Sequence, residues 1–180
     1  HEHHLTTKLL GRHQIENAAM AIGIVEVLQE KGVQISSEAF SLGIAETQWP
    51  GRFEIVRQNP CVILDGAHNS DSCQKLVSTV REVFPNRFVT LILGLSHDKD
   101  KAQIIPILKS ISSRWIWTKA NHPRAAEFSD EVLAVDRDIP WEKTSSVKEA
   151  LALAQRHVEE NSVILVTGSL FVVAEAKKYV

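Results

Sequence analysis

The sequence predicts an α/β fold, a mostly parallel sheet with helices on both faces, preceded by a small helical segment. Three observations carry this. From about residue 50 onward, short apolar runs alternate with stretches of helical periodicity, the pattern of βαβ units. The apolar runs are continuous rather than alternating, as expected of strands covered on both faces. Before Trp49-Pro50 only helical periodicity is found, so the chain divides into residues 1–48 and an α/β domain at 49–180.

The elements follow in order. His13 to Lys31 reads as a helix, with Ile15, Ala18, Ala19, Ile22, Val25 and Leu28 at spacings of three and four. Lys31-Gly32 is its stop signal. Met20, Ile24 and Val27 add a second apolar stripe, so this helix calls for partners on two sides. A second helix starts after Ser36 or Ser37, either of which can cap it, and ends before Trp49-Pro50. Phe53 to Val56 is a short strand, Asn59-Pro60 a turn and Cys61 to Leu64 a buried strand. Asn69 to Phe84 is a helix, closed by Pro85. Phe88 to Leu95 is a strand. Lys101 to Ile111 is helical, with Pro106 forcing a late start or a kink. Trp115 to Thr118 is a strand and Ser129 to Val135 a short helix. Trp141 to Thr144 is a further short strand. Ser146 caps a helix whose stripe is Val147, Ala150, Leu151, Ala154 and Val158. Val163 to Val166 is the last strand, and Leu170 to Tyr179 the last helix. Taken together these elements make a Rossmann-like sheet.

Composition narrows the function classes. Apolar residues are 44% of the 180, enough for a sizeable core, and the formal net charge is -2. A near-neutral chain has no electrostatic reason to bind nucleic acid or an anionic membrane. No apolar run approaches the roughly 18 residues of a membrane span. Cys61 and Cys73 both fall in apolar patterns and read as free thiols in a reducing compartment, so a soluble, cytoplasmic protein is expected. The start "HEHHLTT" lacks Met. It reads as a tag remnant or a truncated start rather than a metal site, because no downstream ligand spacing supports one. A fragment of a longer protein is therefore expected.

The stretch "WPGRFEIVRQNPCVILDGAHN", Trp49 to Asn69, concentrates the polar candidates. In an open parallel sheet ligands bind at the carboxyl ends of the strands, and Asp65 stands just after Leu64. Two readings are open. Asp65 holds a ribose diol, or it shapes a turn while Asn69 caps a helix. Gly66 suits a tight turn or a close ligand approach. His68 lies near a helix start, where free N–H groups favour anions. Arg52, at the break between the two parts, reaches a phosphate or base, or is a solvated or interdomain arginine. Asn17 is a ligand contact or a satisfied amide in a first turn. Thr167-Gly168-Ser169 closes the last strand and opens the last helix.

Several motifs occur in a fixed order: "GRHQIENAAMAI" (Gly11 to Ile22), "PGRFE" (Pro50 to Glu54), "LDGAHN" (Leu64 to Asn69), "HDKDK" (His97 to Lys101), "PRA" (Pro123 to Ala125) and "TGSLF" (Thr167 to Phe171). Together they resemble the C-terminal part of the folylpolyglutamate synthase and bifunctional dihydrofolate synthase family, in the Mur ligase superfamily. The resemblance covers nearly the whole chain. "LDGAHN" points to the folate branch, because peptidoglycan Mur ligases more often carry Tyr at the place of Gly66.

The resemblance implies an ATP-dependent amide ligase. ATP phosphorylates a carboxylate of a pteroate or folyl substrate. The amine of L-glutamate then attacks the acyl phosphate and displaces phosphate. By motif, Asn17, Arg52 and Asp65 would contact ATP: Asp65 the ribose, Asn17 the adenosine end and Arg52 the phosphates. His68 and Ser169 would lie near the reacting carboxylate and the incoming glutamate, with His68 the catalytic candidate. The Lys99–Lys101 segment matches a family motif without an assigned step. Residues 1–48 would be the helical end of the family's central ATPase domain. No G-x-x-x-x-G-K-[ST] loop occurs in the sequence. That loop and the Mg²⁺ ligands are expected in a missing N-terminal part of the same chain, and this segment alone is expected to be inactive. The rival readings are another Mur-type ligase, acting on peptidoglycan precursors or cyanophycin, and a non-catalytic α/β regulatory module with Asp65 as a phosphoacceptor. A receiver of that kind would show an acidic pair after its first strand and a Lys after its last, where this chain has Thr167-Gly168-Ser169.

Overall fold

A computed structural model describes residues 5–128 and 139–180. The first four residues and the helix expected at 129–135 lie outside them. The chain divides into two compact units, residues 1–50 and 51–180.

The first unit holds α1 (Arg12–Glu30) and α2 (Ser37–Glu46). Ser36 is the cap of α2, its side chain accepting the Ala39 N–H at 3.1 Å. The double apolar stripe of α1 is largely uncovered: Ile15 is 65% exposed, Met20 69% and Ile24 59%. The one buried residue of α1 is polar, Gln14.

The second unit carries a six-stranded sheet in the order β1-β2-β6-β3-β4-β5. The strands are β1 (Glu54–Gln58), β2 (Cys61–Leu64), β3 (Phe88–Leu93), β4 (Arg114–Trp117), β5 (Trp141–Lys143) and β6 (Ser162–Thr167). Only the β1–β2 pair is antiparallel, joined through the tight Asn59-Pro60 turn; every other pair is parallel. Between them run α3 (Ser70–Val83), α4 (Lys101–Lys109) and α5 (Val147–Arg156), and α6 (Leu170–Ala176) follows β6. Asn69, Asp100, Ser146 and Ser169 cap these four helices, each side chain accepting a backbone N–H of the first turn. Asn69 is thus the cap of α3 and not its first turn. Of the late start or kink expected from Pro106, the late start does not occur: α4 begins at Lys101, and Pro106 sits inside it.

Alternation along the strands sorts the core. Val62, Leu64, Ile92, Ile116, Ile164 and Val166 face α5 and α6, packing on Val147, Ala150, Leu151, Ala154, Val172, Val173 and Ala176. The alternate residues Ile63, Leu91, Leu93 and Leu165 are also fully buried and point the other way; α3 and α4 pack against each other. Both faces are apolar, which is why the strands read as unbroken apolar runs. No described helix is long and apolar enough to cross a membrane.

Candidate functional site

β6 enters the sheet between β2 and β3 although it is last in the chain. The three strands run parallel, so the carboxyl ends of β2, β6 and β3 lie side by side at the edge where open α/β sheets bind ligands. The loops leaving these strands are tied to one another. The Asp65 N–H donates to the Val166 carbonyl at 3.0 Å, the Gly168 N–H to Ala67 at 3.0 Å and the Gly94 N–H to Thr167 at 3.3 Å. Gly168 is required here: its φ is +100°, and a Cβ would stand 2.7 Å from the Gly94 carbonyl oxygen. Gly66 serves close approach, since a Cβ there would meet the Leu170 side chain at 2.4 Å.

Asp65 is 8% exposed, and both its oxygens are engaged. Oδ1 accepts the Ala67 N–H and Oδ2 the Phe53 N–H, each at 2.8 Å. The turn reading of Asp65 is therefore present in the structure. The bond to Phe53 fixes the turn that carries Arg52. Its other side is held by Gly51, whose carbonyl accepts the Gly66 N–H at 2.8 Å and whose N–H donates to Glu54 Oε2 at 2.9 Å. The exposed Arg52 side chain thus departs from a turn clamped onto the end of β2. Burial alone would raise the Glu54 carboxyl; hydrogen bonds from Lys177 and from the Gly51 N–H outweigh it and hold Glu54 below the usual carboxylate range.

His68 is half-buried, one residue before the cap of α3. Its Nδ1 lies 2.7 Å from the Gly66 carbonyl oxygen. A carbonyl only accepts, so Nδ1 carries the proton and Nε2 of the neutral ring presents a lone pair. Ser169 is buried and caps α6, its Oγ accepting the Phe171 N–H at 3.1 Å while its own O–H remains to donate. Beneath this edge Cys73 is fully buried, and burial, reinforced by the Asp65 charge, pushes its thiol up to about 12. Cys61 and Cys73 are both free thiols.

Arg52, Asp65, His68 and Ser169 are therefore brought to one edge of one unit. Asn17 belongs to the other unit, on the exposed side of α1, where its Nδ2 donates to Gln14 Oε1 at 3.0 Å. Among the described residues no group of three or more His, Cys, Asp or Glu gathers that could hold a metal ion. Two features escaped the sequence reading. Phe53 has φ +44°, a strained value for a residue with a Cβ. Asp98 and Arg124 pair at 3.1 Å and join the "HDKDK" and "PRA" motifs. The order of the motifs was the only sequence signal for the second.

The sequence of the sheet unit matches a known family. Residues 51–170 match the family described as Mur ligase, glutamate ligase domain. The chain belongs to the Mur ligase family. Among curated Mur-type relatives, it is 36% identical over 172 residues to a probable bifunctional folylpolyglutamate synthase/dihydropteroate synthase of Halobacterium salinarum, covering 94% of this chain and 20% of the relative. It is 30% identical over 176 residues to a dihydrofolate synthase/folylpolyglutamate synthase of Bacillus subtilis, covering 97% and 40%. The Mycobacterium tuberculosis folylpolyglutamate synthase solved with ADP and AMPPCP superposes with a TM-score of 0.86 at 28% identity, over 97% of this chain and 41% of that one. A bifunctional folylpolyglutamate synthase/dihydrofolate synthase solved with Mn, AMPPNP and L-glutamate gives 0.75 at 27% identity, over 86% and 37%. This Mur ligase chain thus spans 40% or less of the length of the curated relatives named here.

Proposed function

We propose that this chain is the C-terminal part of an ATP-dependent amide ligase that adds L-glutamate to dihydropteroate, to folylpolyglutamates, or to both. The observation that carries the reading is the convergence, at the carboxyl ends of β2, β6 and β3, of the segments whose sequences mark the family. ATP phosphorylates the substrate carboxylate; the glutamate amine then attacks the acyl carbon, and phosphate leaves. Asp65 accepts from the ribose hydroxyls, and Arg52 places its guanidinium on the phosphates from a turn that cannot swing away. Asn17 contacts the adenosine end. His68 Nε2 faces the reacting carboxylate as an acceptor for the proton released by the attacking amine. Ser169 donates its hydroxyl to the glutamate side.

Residues 1–48 are proposed as the helical end of the ATPase domain, whose remaining helices would cover the exposed stripe of α1. Mg²⁺ would neutralise the transferring phosphate, held by residues of that domain. Phosphoryl transfer depends on such positioning and charge neutralisation, so the 180-residue chain by itself is expected to give no ATP-dependent folate extension. Relatives solved with nucleotide analogues and, in one case, with L-glutamate support the reading. The test is glutamate ligation by the full-length ligase with dihydropteroate and with tetrahydrofolate, each in the presence of ATP and Mg²⁺. Extension of one or both supports it. Ligation of a peptidoglycan precursor or of an aspartate polymer in place of a folate would overturn it.

A further inference from the structure

The turn that carries Arg52 also lies along α6. Leu170, Val173 and Lys177 are three and four residues apart, so they share one stripe of that helix and its C-terminal cap. Leu170 packs on Gly66, where a Cβ would meet its Cδ2 at 2.4 Å. Val173 packs on Gly51, where a Cβ would stand 3.0 Å from its Cγ1. Lys177 completes the stripe with a charge: its Nζ donates to Glu54 Oε1 at 2.6 Å, while Glu54 Oε2 accepts the Gly51 N–H at 2.9 Å. One carboxylate therefore joins the end of α6 to the backbone one residue before Arg52.

We propose that Glu54 and Lys177 are positioning residues of the ligase, a tether that sets the Gly51-Arg52 turn on α6 and so fixes where the Arg52 guanidinium meets the nucleotide phosphates. This rests on the ligase function proposed for the chain, with Arg52 on the phosphates. Gly51 makes the turn at φ +73°. Glycine permits that conformation, and it equally permits its flanking peptides to rotate. Both of its polar groups are pinned against such rotation, the carbonyl by the Gly66 N–H and the N–H by Glu54. A glutamate side chain has several rotamers, and the Lys177 ammonium selects the one that turns Oε2 to Gly51. Bonds from a guanidinium to phosphate are directional, so a small rotation of the peptide before Arg52 would spoil them. The Lys177 side chain is 45% exposed and that of Glu54 27%, and an ion pair so exposed adds little to folding. Its contribution is preorganisation of the site. The bonds of Asp65 to Phe53 and Ala67 do not involve the pair and remain when Lys177 is removed.

The experiment is steady-state kinetics and thermal unfolding of the full-length ligase carrying Lys177→Ala, Lys177→Arg or Glu54→Ala, with Lys177→Ala also combined with Arg52→Ala. Lys177→Ala is expected to raise the KM for ATP on the order of tenfold, below the hundredfold that a misplacement of about 1 Å can cost. The KM for glutamate and the unfolding midpoint should stay at wild-type values. Lys177→Arg keeps a cation opposite Glu54 and should recover most of the ATP affinity. Glu54→Ala should raise the ATP KM at least as far, and should lower the midpoint too, because the buried Gly51 N–H loses its acceptor; Lys177→Ala is therefore the deciding variant. Once Arg52 is already Ala, Lys177→Ala should raise the ATP KM no further, since a residue that acts through another has nothing left to position. An ATP KM unchanged in Lys177→Ala overturns the proposal. So does an equal rise in the ATP and glutamate KM values, or the same rise with and without Arg52, either of which would make the pair a general structural contact. A wild-type ligase that forms no ATP-dependent folate–glutamate bond would instead sink the ligase function, and this inference with it.

Discussion

The Phe53 N–H donates to Asp65 Oδ2 at 2.8 Å, across twelve residues. Phe53 is buried at φ +44°, a region that residues with a Cβ seldom enter. The carboxylate that stands where a ribose ligand is expected thus also holds a strained turn in place, and that turn aims Arg52. Strain of this sort persists where surrounding contacts over-determine it. Here they are Asp65, the Gly51–Gly66 backbone bond and the stack of Phe53 on Phe84, centroids 6.3 Å apart.

Asp65→Ala in the full-length ligase should therefore lower both stability and ATP affinity. The buried N–H groups of Phe53 and Ala67 lose their acceptor, at about 1–3 kcal/mol each if nothing replaces it. Loss of charge-assisted bonds to the ribose adds roughly ten- to hundredfold in the ATP dissociation constant. Denaturant unfolding and nucleotide titration on the same variant separate the two. A lowered midpoint with unchanged ATP affinity would confine Asp65 to the turn.

Arg52→Ala should act mainly on the nucleotide. The side chain is exposed and precedes β1, so losing its surface contacts should change folding by no more than about 1 kcal/mol. If it meets the phosphates, the ATP requirement rises about tenfold or more. Parallel measurement of ATP KM and thermal midpoint checks this; equal ATP KM values for variant and wild type would remove Arg52 from the site.

Gly168→Ala should be among the most damaging single-methyl additions in the sheet unit. The new Cβ would lie 2.5 Å from Leu93 Cδ1 and 2.7 Å from the Gly94 carbonyl oxygen, at φ +100°. The leucine can yield, but the carbonyl is backbone at the end of β3. A destabilisation on the order of 2–3 kcal/mol is expected from the backbone conformation and the overlap together. Thermal unfolding of the variant would show it as a midpoint several degrees lower, and a wild-type midpoint would contradict it.

Acid should leave the Asp98–Arg124 pair intact until well below the usual carboxylate range. Hydrogen bonds from Lys99 and then Arg124 hold the Asp98 carboxyl down to about 2. A depressed carboxylate contributes stability above its unfolded pKa and loses it as pH falls through the folded value. The Asp98 contribution is therefore complete above about pH 4 and lost toward pH 2. Glu54 is shifted in the same direction, its bonds from Lys177 and Gly51 overcoming burial. An NMR titration of the Asp98 carboxyl carbon should find its midpoint near 2 in the wild type. In Arg124→Ala it should move part of the way up, since Lys99 remains. A midpoint unmoved by that substitution would mean that Arg124 does not bear on Asp98.

Periodicity and punctuation carried much of this protein. Unbroken apolar runs at Cys61–Leu64 and Val163–Val166 announced strands buried on both faces, because covered strands have no side to give to water. Asn69, Ser146 and Ser169 announced helix starts because a short polar side chain is what frees no N–H to dangle. Asp65, His68 and Ser169 could be placed at strand ends for the same local reason. Pairing was not legible: nothing in a strand's own residues says that β6 lies between β2 and β3 and so brings Thr167, a hundred residues on, beside Ala67. Nor did any local pattern say that Asp65 bonds the turn before β1, or that Asp98 meets Arg124. Those bonds link segments that only the register of the sheet brings within 3 Å or so of each other. Sequence determines which segments bury and where they stop; the packed sheet decides which of their ends share a site, because hydrogen bonds and charges act over a few ångströms of space and not along the chain.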